Sequence, residues 1–177
     1  EDGYHEVRMI MQSVGLYDNI EIINLGQSAT GKPEIEIETN LRYLPNNENN
    51  LAYKAALLLM EEFYISAHIR IKIKKMIPVA AGMAGGSADA AAVLKGVNKL
   101  FGLHLTNEEL KKRGVTLGAD IPYCIDGGTA LSEGIGEILT PLSPMPQCII
   151  LLVKPPINVS TKLVYGKLDA ANNEYHP

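Results

Sequence analysis

The sequence predicts a mixed α+β fold, and three observations lead to that reading. Segments with strand-like alternation dominate the first 75 residues, helical segments interleave with them later, and no internal repeat appears at any period. From Tyr4 to Val14 apolar residues fall at Val7, Met9 and Met11, and the strand pattern resumes over Asn19–Leu25 and Glu34–Thr39. The stretch Gly26–Pro33 between the last two reads as a hairpin loop. Asn46-Asn47-Glu48-Asn49-Asn50 is a polar break, and the run Leu51–Phe63 that follows is apolar almost all round, which predicts a buried helix capped by Asn49 or Asn50. Ala67–Lys74 is the clearest strand, with Ile69, Ile71 and Ile73 on one face and Arg70, Lys72 and Lys74 on the other. A second helix is predicted over Ser87–Leu100, closed by Gly102 and rich in alanine, hence closely packed. Thr106-Asn107-Glu108-Glu109 has capping-box spacing for a short third helix ending at Gly114. Gly134-Ile135-Gly136-Glu137 reads as a turn between strands, and Cys148–Lys154 as a buried strand stopped by Pro155-Pro156.

The 177 residues are 46% hydrophobic and 20% charged, the usage of a globular chain that can bury a core. A net charge of −4 argues against a nucleic-acid coat, so any basic site is local. The apolar run Cys148–Val153 is far too short to span a bilayer, and no signal-peptide pattern opens the sequence. Cys124 and Cys148 lack paired spacing, which removes a disulfide framework or zinc site and predicts a cytoplasmic protein with free thiols. His68, His104 and His176 show no ligand spacing and read as surface or satisfied residues. The ends, Glu1-Asp2-Gly3-Tyr4 and Tyr175-His176-Pro177, read as a piece of a longer chain.

Chemistry concentrates in Pro78-Val79-Ala80-Ala81-Gly82-Met83-Ala84-Gly85-Gly86-Ser87-Ala88-Asp89. A strand leads into a glycine- and alanine-rich loop, which runs into a helix with the Ser87 hydroxyl at its predicted cap. Backbone N–H groups can converge there on an anion, unobstructed by large side chains and aided by the helix dipole, so the junction suits phosphate. No Gly-Lys-Ser/Thr follows, so it is not a Walker loop, and Gly-x-Gly-x-x-Gly spacing is absent. The bland alternative is tight helix–sheet packing; three glycines coinciding with Ser87 and Asp89 favour phosphate. Asp120, between Gly118-Ala119 and Ile121-Pro122, reads equally as a helix N-cap or as a group that accepts a proton. Lys72 and Lys74 read as a solvated strand face.

The loop string resembles the phosphate-binding motif of the GHMP small-molecule kinases. Asp2-Gly3-Tyr4-His5-Glu6-Val7, Gly118-Ala119-Asp120-Ile121-Pro122 and Val159-Ser160-Thr161 with Tyr165 agree with that family in order and spacing over essentially the whole chain. The match is closest to the branch acting on a cytidine-diphosphate-linked sugar alcohol. The resemblance implies two α/β domains: residues 1–146 as a ribosomal S5-like ATP-binding domain lacking its first strand, and 147–177 as the start of a ferredoxin-like domain. It implies ATP as co-substrate with Mg²⁺, and transfer of the γ-phosphoryl group to a hydroxyl of a small molecule. It further implies Asp120 as the catalytic aspartate, paired with a lysine from a strand upstream of Glu1. ATP contacts would come from Pro78, Ala80, Ala81, Gly82, Met83, Ala84, Gly85, Gly86, Ser87, Lys75 and Asn50. Tyr4 and Tyr165 would stack on the cytosine with His5 at its polar edge, and Thr161 would meet the diphosphate. Relatives often have two serines where this chain has Ser87-Ala88, and the remaining hydroxyl can still serve phosphate. The implied protein is a monomer or homodimer binding no nucleic acid or membrane, in a bacterial cytoplasm, or in a plastid if a targeting segment has been removed. The alternatives are another GHMP kinase with a smaller alcohol substrate, and a non-catalytic nucleotide-binding module.

Overall fold

The computed structural model describes residues 6–155. In chain order the elements are β1 (Met9–Gln12), β2 (Asn19–Gln27), β3 (Glu34–Thr39), α1 (Leu51–Glu62), β4 (Ala67–Lys74), α2 (Gly85–Leu100), α3 (Asn107–Gly114), α4 (Ile121–Asp126), β5 (Thr129–Glu133) and β6 (Ile138–Pro141).

The core sits where the alternation of β4 predicts it. Ile69, Ile71 and Ile73 are at most 2% exposed, and each such burial contributes roughly 1.5–3 kcal/mol. They pack with Ala52, Ala55, Ala56, Leu59 and Met60 of α1 and with Ala90, Ala91, Val93, Leu94 and Val97 of α2. The alanines let the two helices lie close together over one face of the sheet. The other face is wet: Arg70 pairs with Glu36 at 2.7 Å, Lys72 with Glu21 at 3.4 Å, and His68 Nε2 with Glu36 at 2.8 Å. These pairs explain how a strand can carry three basic side chains and hold its register.

The strand order is β2-β4-β3, with β2 antiparallel and β3 parallel to the central β4. This corrects the hairpin reading of Gly26–Pro33. β2 and β3 are not neighbours, because β4 carries the wholly buried isoleucine row and takes the centre, where Ile20 and Ile22 oppose Ile73 and Ile71 and Ile35 and Ile37 oppose Ile69 and Ile71. A second sheet, β1-β5-β6, contains the predicted hairpin turn at 134–137. β1 is shorter than the predicted Tyr4–Val14 strand, and Met9 is 41% exposed, so alternation there marks an edge strand rather than a buried face. Cys148–Lys154 is not a strand: it is extended without ladder bonds, and Ile149, Leu151 and Val153 are 80% or more exposed. A buried strand needs ladder partners along its edges, and no strand among the described residues pairs with this segment.

Candidate active site

The site lies where β4 ends and α2 begins. Of the two predicted cap candidates, Asn49 and Asn50, it is Asn50 that caps α1: its side-chain oxygen accepts from Ala52 N–H at 2.9 Å while its amide donates to the Pro45 carbonyl at 2.8 Å. Those two bonds tie the 45–50 turn to the start of α1. The loop that leaves β4 has positive φ at Ala80 (53°), Gly82 (67°) and Ala84 (49°). Left-handed backbone costs a non-glycine residue roughly 1–2 kcal/mol, so the two alanines hold strain that the surroundings must enforce.

α2 starts two residues earlier than predicted, at Gly85. Ala84 occupies the cap position with no side-chain cap bond, and Ser87 sits within the first turn instead of capping it. The early start follows from the loop: left-handed Ala84 turns the chain so that Gly85 and Gly86 enter the helix directly. The first-turn N–H groups therefore have no intrahelical acceptor, and no acidic side chain stands in that turn to compete with an anion.

A cleft of about 280 Å³ is walled by the loop 78–86, by Asn50 and Leu51 at the start of α1, by Leu44 and Pro45, and by Lys75 and Asp89. It unites all but one of the residues singled out for nucleotide: Pro78, Ala80, Ala81, Gly82, Met83, Ala84, Gly85, Gly86, Lys75 and Asn50. Ser87 is not on that wall; its hydroxyl lies 3.9 Å from where a β-carbon on Gly118 would stand, which puts it on the side toward Asp120. Tyr4, His5, Thr161 and Tyr165 lie outside the described residues.

Lys75 differs from the surface lysines Lys72 and Lys74. Its side chain is 4% exposed and its ammonium is bound by Asp18 and, at 2.8 Å, by Asp89. Asp18, missed at the sequence level, stands one residue before β2 and also accepts the N–H groups of Met76 and Ile77, the latter at 2.9 Å. Burial raises the Asp18 carboxyl, but the Lys75 hydrogen bond and the two N–H donors outweigh it and hold the group below the usual carboxylate range. Burial pushes Asp89 up to about 7 despite Lys75, with the Asp18 charge adding to the rise. One Asp89 oxygen, Oδ1, is buried without a hydrogen-bond partner.

Asp120 occupies the cap position of α4, but its side chain makes no cap bond. Asp120 thus stands where the cap reading puts it but without the capping bond: Pro122 in the first turn donates no N–H, and the carboxyl is left available. Burial raises its pKa. The Cys124 thiol, on the next turn, is pushed up to about 12 by desolvation and by the Asp120 and Asp89 charges, so one half-buried thiol senses both aspartates.

A glycine- and alanine-rich loop walling a cleft at a helix N-terminus suits an anionic group such as a phosphate. Residues 50–128 match the family described as GHMP kinases N terminal domain. It is 55% identical over all of its 177 residues to a protein of Lachnospira eligens, covering 60% of that relative, and 56% identical over 176 residues to one of Lachnoclostridium phytofermentans, covering 59% of it. Both relatives are named 4-diphosphocytidyl-2-C-methyl-D-erythritol kinase. The chain thus spans about 60% of the length of these curated relatives. A crystal structure of 4-(cytidine 5'-diphospho)-2C-methyl-D-erythritol kinase superposes with a TM-score of 0.72 at 32% identity, over 94% of this chain and 56% of that one. A mevalonate kinase structure, at 16% identity and a TM-score of 0.62 over 80% of this chain and 50% of that one, shares the fold.

Proposed function

We propose that this chain is the ATP-binding part of a kinase that phosphorylates the 2-hydroxyl of 4-diphosphocytidyl-2-C-methyl-D-erythritol, in non-mevalonate isoprenoid precursor synthesis. The observation that carries the reading is the cleft itself, one wall of which is a loop rich in glycine and alanine that runs into the uncapped start of α2. The choice of substrate is supported by the names of relatives 55–56% identical to this chain.

Phosphoryl transfer asks for positioning, charge neutralisation and a group to take the hydroxyl proton. The free N–H groups at the start of α2 would hold the phosphates, with Asn50 and Lys75 completing the wall. Asp120, desolvated and uncommitted, would accept the proton from the attacking 2-hydroxyl. An ammonium supplied by a lysine upstream of Glu1 would return its pKa toward the carboxylate range. Mg²⁺ would arrive with ATP as part of the co-substrate. Among the described residues no group of three or more His, Cys, Asp or Glu could hold an ion by itself, which suits a metal carried mainly by phosphate oxygens. Tyr4, Tyr165, His5 and Thr161 would recognise the cytidine diphosphate. Residues 1–146 would form the ATP-binding domain and 147–177 the start of a second. We place the protein in the cytoplasm as a monomer or homodimer; among the described residues no helix is long and apolar enough to cross a membrane.

The test is phosphate transfer from ATP by the full-length protein. Asp120→Asn is expected to lower kcat by about 10²–10⁴ while ATP affinity stays within about twofold. Unchanged turnover removes Asp120 from the mechanism. Failure of cytidine nucleotides to compete with substrate points to a kinase for a smaller alcohol, and absence of any transfer points to a non-catalytic nucleotide-binding module.

A further inference from the structure

Three charges are buried together beneath the loop. The side chains of Asp18, Lys75 and Asp89 are 3%, 4% and 8% exposed, whereas the Arg113–Glu62 and Arg70–Glu36 pairs are 23–42% exposed. Burying ions costs more than burying apolar groups of the same volume, and a hydrophobic replacement is commonly as stable. Stability alone therefore does not account for the cluster, and its geometry does.

Each bond in it fixes backbone on one side of the loop or the other. On the β4 side, Asp18 takes the N–H groups of Met76 and Ile77 and the Lys75 ammonium. Asn40 holds the Lys75 backbone from the opposite side, accepting its N–H at 2.8 Å and donating to its carbonyl at 3.2 Å. On the α2 side, Lys75 reaches Asp89, the fifth residue of the helix, at 2.8 Å. Its ammonium also lies 3.3 Å from where a β-carbon on Gly85 would stand. Both ends of the segment 78–84 are thus pinned to one point, and between them sit the left-handed Ala80 and Ala84 whose strain needs enforcing.

We propose that Asp18, Lys75 and Asp89 are positioning residues that clamp the two ends of the phosphate loop and act on nucleotide through the loop backbone. The proposal rests on the reading of the cleft as the ATP site. Two of the three Lys75 N–H groups go to carboxylates, so its main service is to the loop rather than to ATP directly. Asp18 stays ionised and is the strong anchor; Asp89, desolvated and close to a second carboxylate, is the adjustable one.

The experiment uses the full-length protein and three readouts: hydrogen exchange of residues 76–86 without nucleotide, MgATP affinity by calorimetry, and steady-state kinetics. Lys75→Met combined with Asp89→Leu removes the clamp without leaving an unpaired lysine or aspartate at those two positions. It is expected to speed exchange in the loop and to raise both Kd and KM for MgATP by roughly ten- to a hundredfold, the equivalent of one or two charge-assisted hydrogen bonds. The larger part of the loss is expected in KM for MgATP and the smaller part in kcat. Asp89→Asn, which keeps an oxygen for Lys75, is expected to restore near-normal Kd and loop protection. Asp18→Asn, which keeps an acceptor for the two N–H groups but not the charge, is expected to show a partial loss and serves as the test if the double variant does not fold. A folded double variant with unchanged loop exchange and unchanged Kd overturns the clamp, and so does a loss confined to kcat, which would make Lys75 a direct catalytic contact. A wild-type protein that binds no MgATP refutes the nucleotide reading instead, and loop exchange in the double variant then decides the clamp by itself.

Discussion

Gly85→Ala tests the loop geometry with one methyl group. Gly85 is the first residue of α2 and its φ is not positive, so alanine meets no backbone penalty there. Helix propensity by itself would favour the change by up to about 1 kcal/mol. The added carbon, however, would stand 3.0 Å from Ile77 Cγ2, 3.4 Å from Ile77 Cβ and 3.3 Å from Lys75 Nζ. None of these neighbours yields easily: Ile77 is β-branched and 7% exposed, and the Lys75 ammonium is held by two carboxylates. Overpacking of this kind costs roughly 1–3 kcal/mol, which outweighs the propensity gain. The net loss of about 1 kcal/mol would lower Tm by roughly 2–4 °C in a protein of this size. Because the displaced residues flank the loop, MgATP affinity is expected to fall about tenfold at the same time. Gly86→Ala is the internal control. Its carbon would meet only Leu51 Cδ1, at an ordinary 3.5 Å, so stability is expected to hold or rise, and any loss of affinity would report on phosphate space alone. Thermal melts with calorimetric titration of MgATP read both effects. A Gly85→Ala protein as stable as Gly86→Ala, with equal affinity, would refute the reasoning.

Two further outcomes follow from the buried acids and the thiols. Asp89 is raised to about 7 in the folded chain from an ordinary 3.8, so the folded state holds the extra proton between those values. Its contribution to stability is full below about pH 3.8 and is lost as pH rises through about 7, while that of Asp18, whose pKa is lowered, is present above its ordinary value and lost in acid. With Lys75 and Asp18 facing Asp89 and the Cys124 thiol uncharged, Asp89→Asn is expected to flatten the decline in urea-measured stability between pH 5 and 8; an unchanged slope would contradict the assignment. The second outcome concerns alkylation at pH 8. Cys148 is exposed and is expected to react at once, whereas Cys124, held near 12, should stay unmodified until the chain unfolds; equal rates would contradict its desolvation.

What was legible in the sequence was local. The isoleucine row of β4, the asparagine cap of α1 and the Thr106–Glu109 capping box each depend on residues a few positions apart, and all three form as read. The loop and α2 were legible for the same reason, though the cap was misplaced at Ser87 because a left-handed alanine at position 84 leaves no compositional trace. Partnerships across long separations were not legible. β3 pairs parallel with β4 across the intervening α1, and Asp18 meets Lys75 57 positions later in the chain; beside Tyr17 and Asn19 it looks like any turn aspartate. Asp120 shows the limit most clearly. Its flanking residues suit a cap and a proton acceptor equally, and the structure puts it at the cap position without a cap bond.

The clamp also answers a question raised by the acidic balance of the chain, which is how a site for a triphosphate forms at a net charge of −4. The first turn of α2 carries Gly85, Gly86 and Ser87 and no carboxylate, so its N–H dipoles face an anion unopposed. The nearest acid in the helix is Asp89, and a free carboxylate there would repel phosphate across a poorly solvated cleft. Lys75 and burial together remove that charge, the one by pairing with it and the other by favouring its protonated form. In the clamp we propose, the lysine nearest the loop helps an anion at one remove: it neutralises the acid that would oppose binding and holds in place the backbone that would perform it.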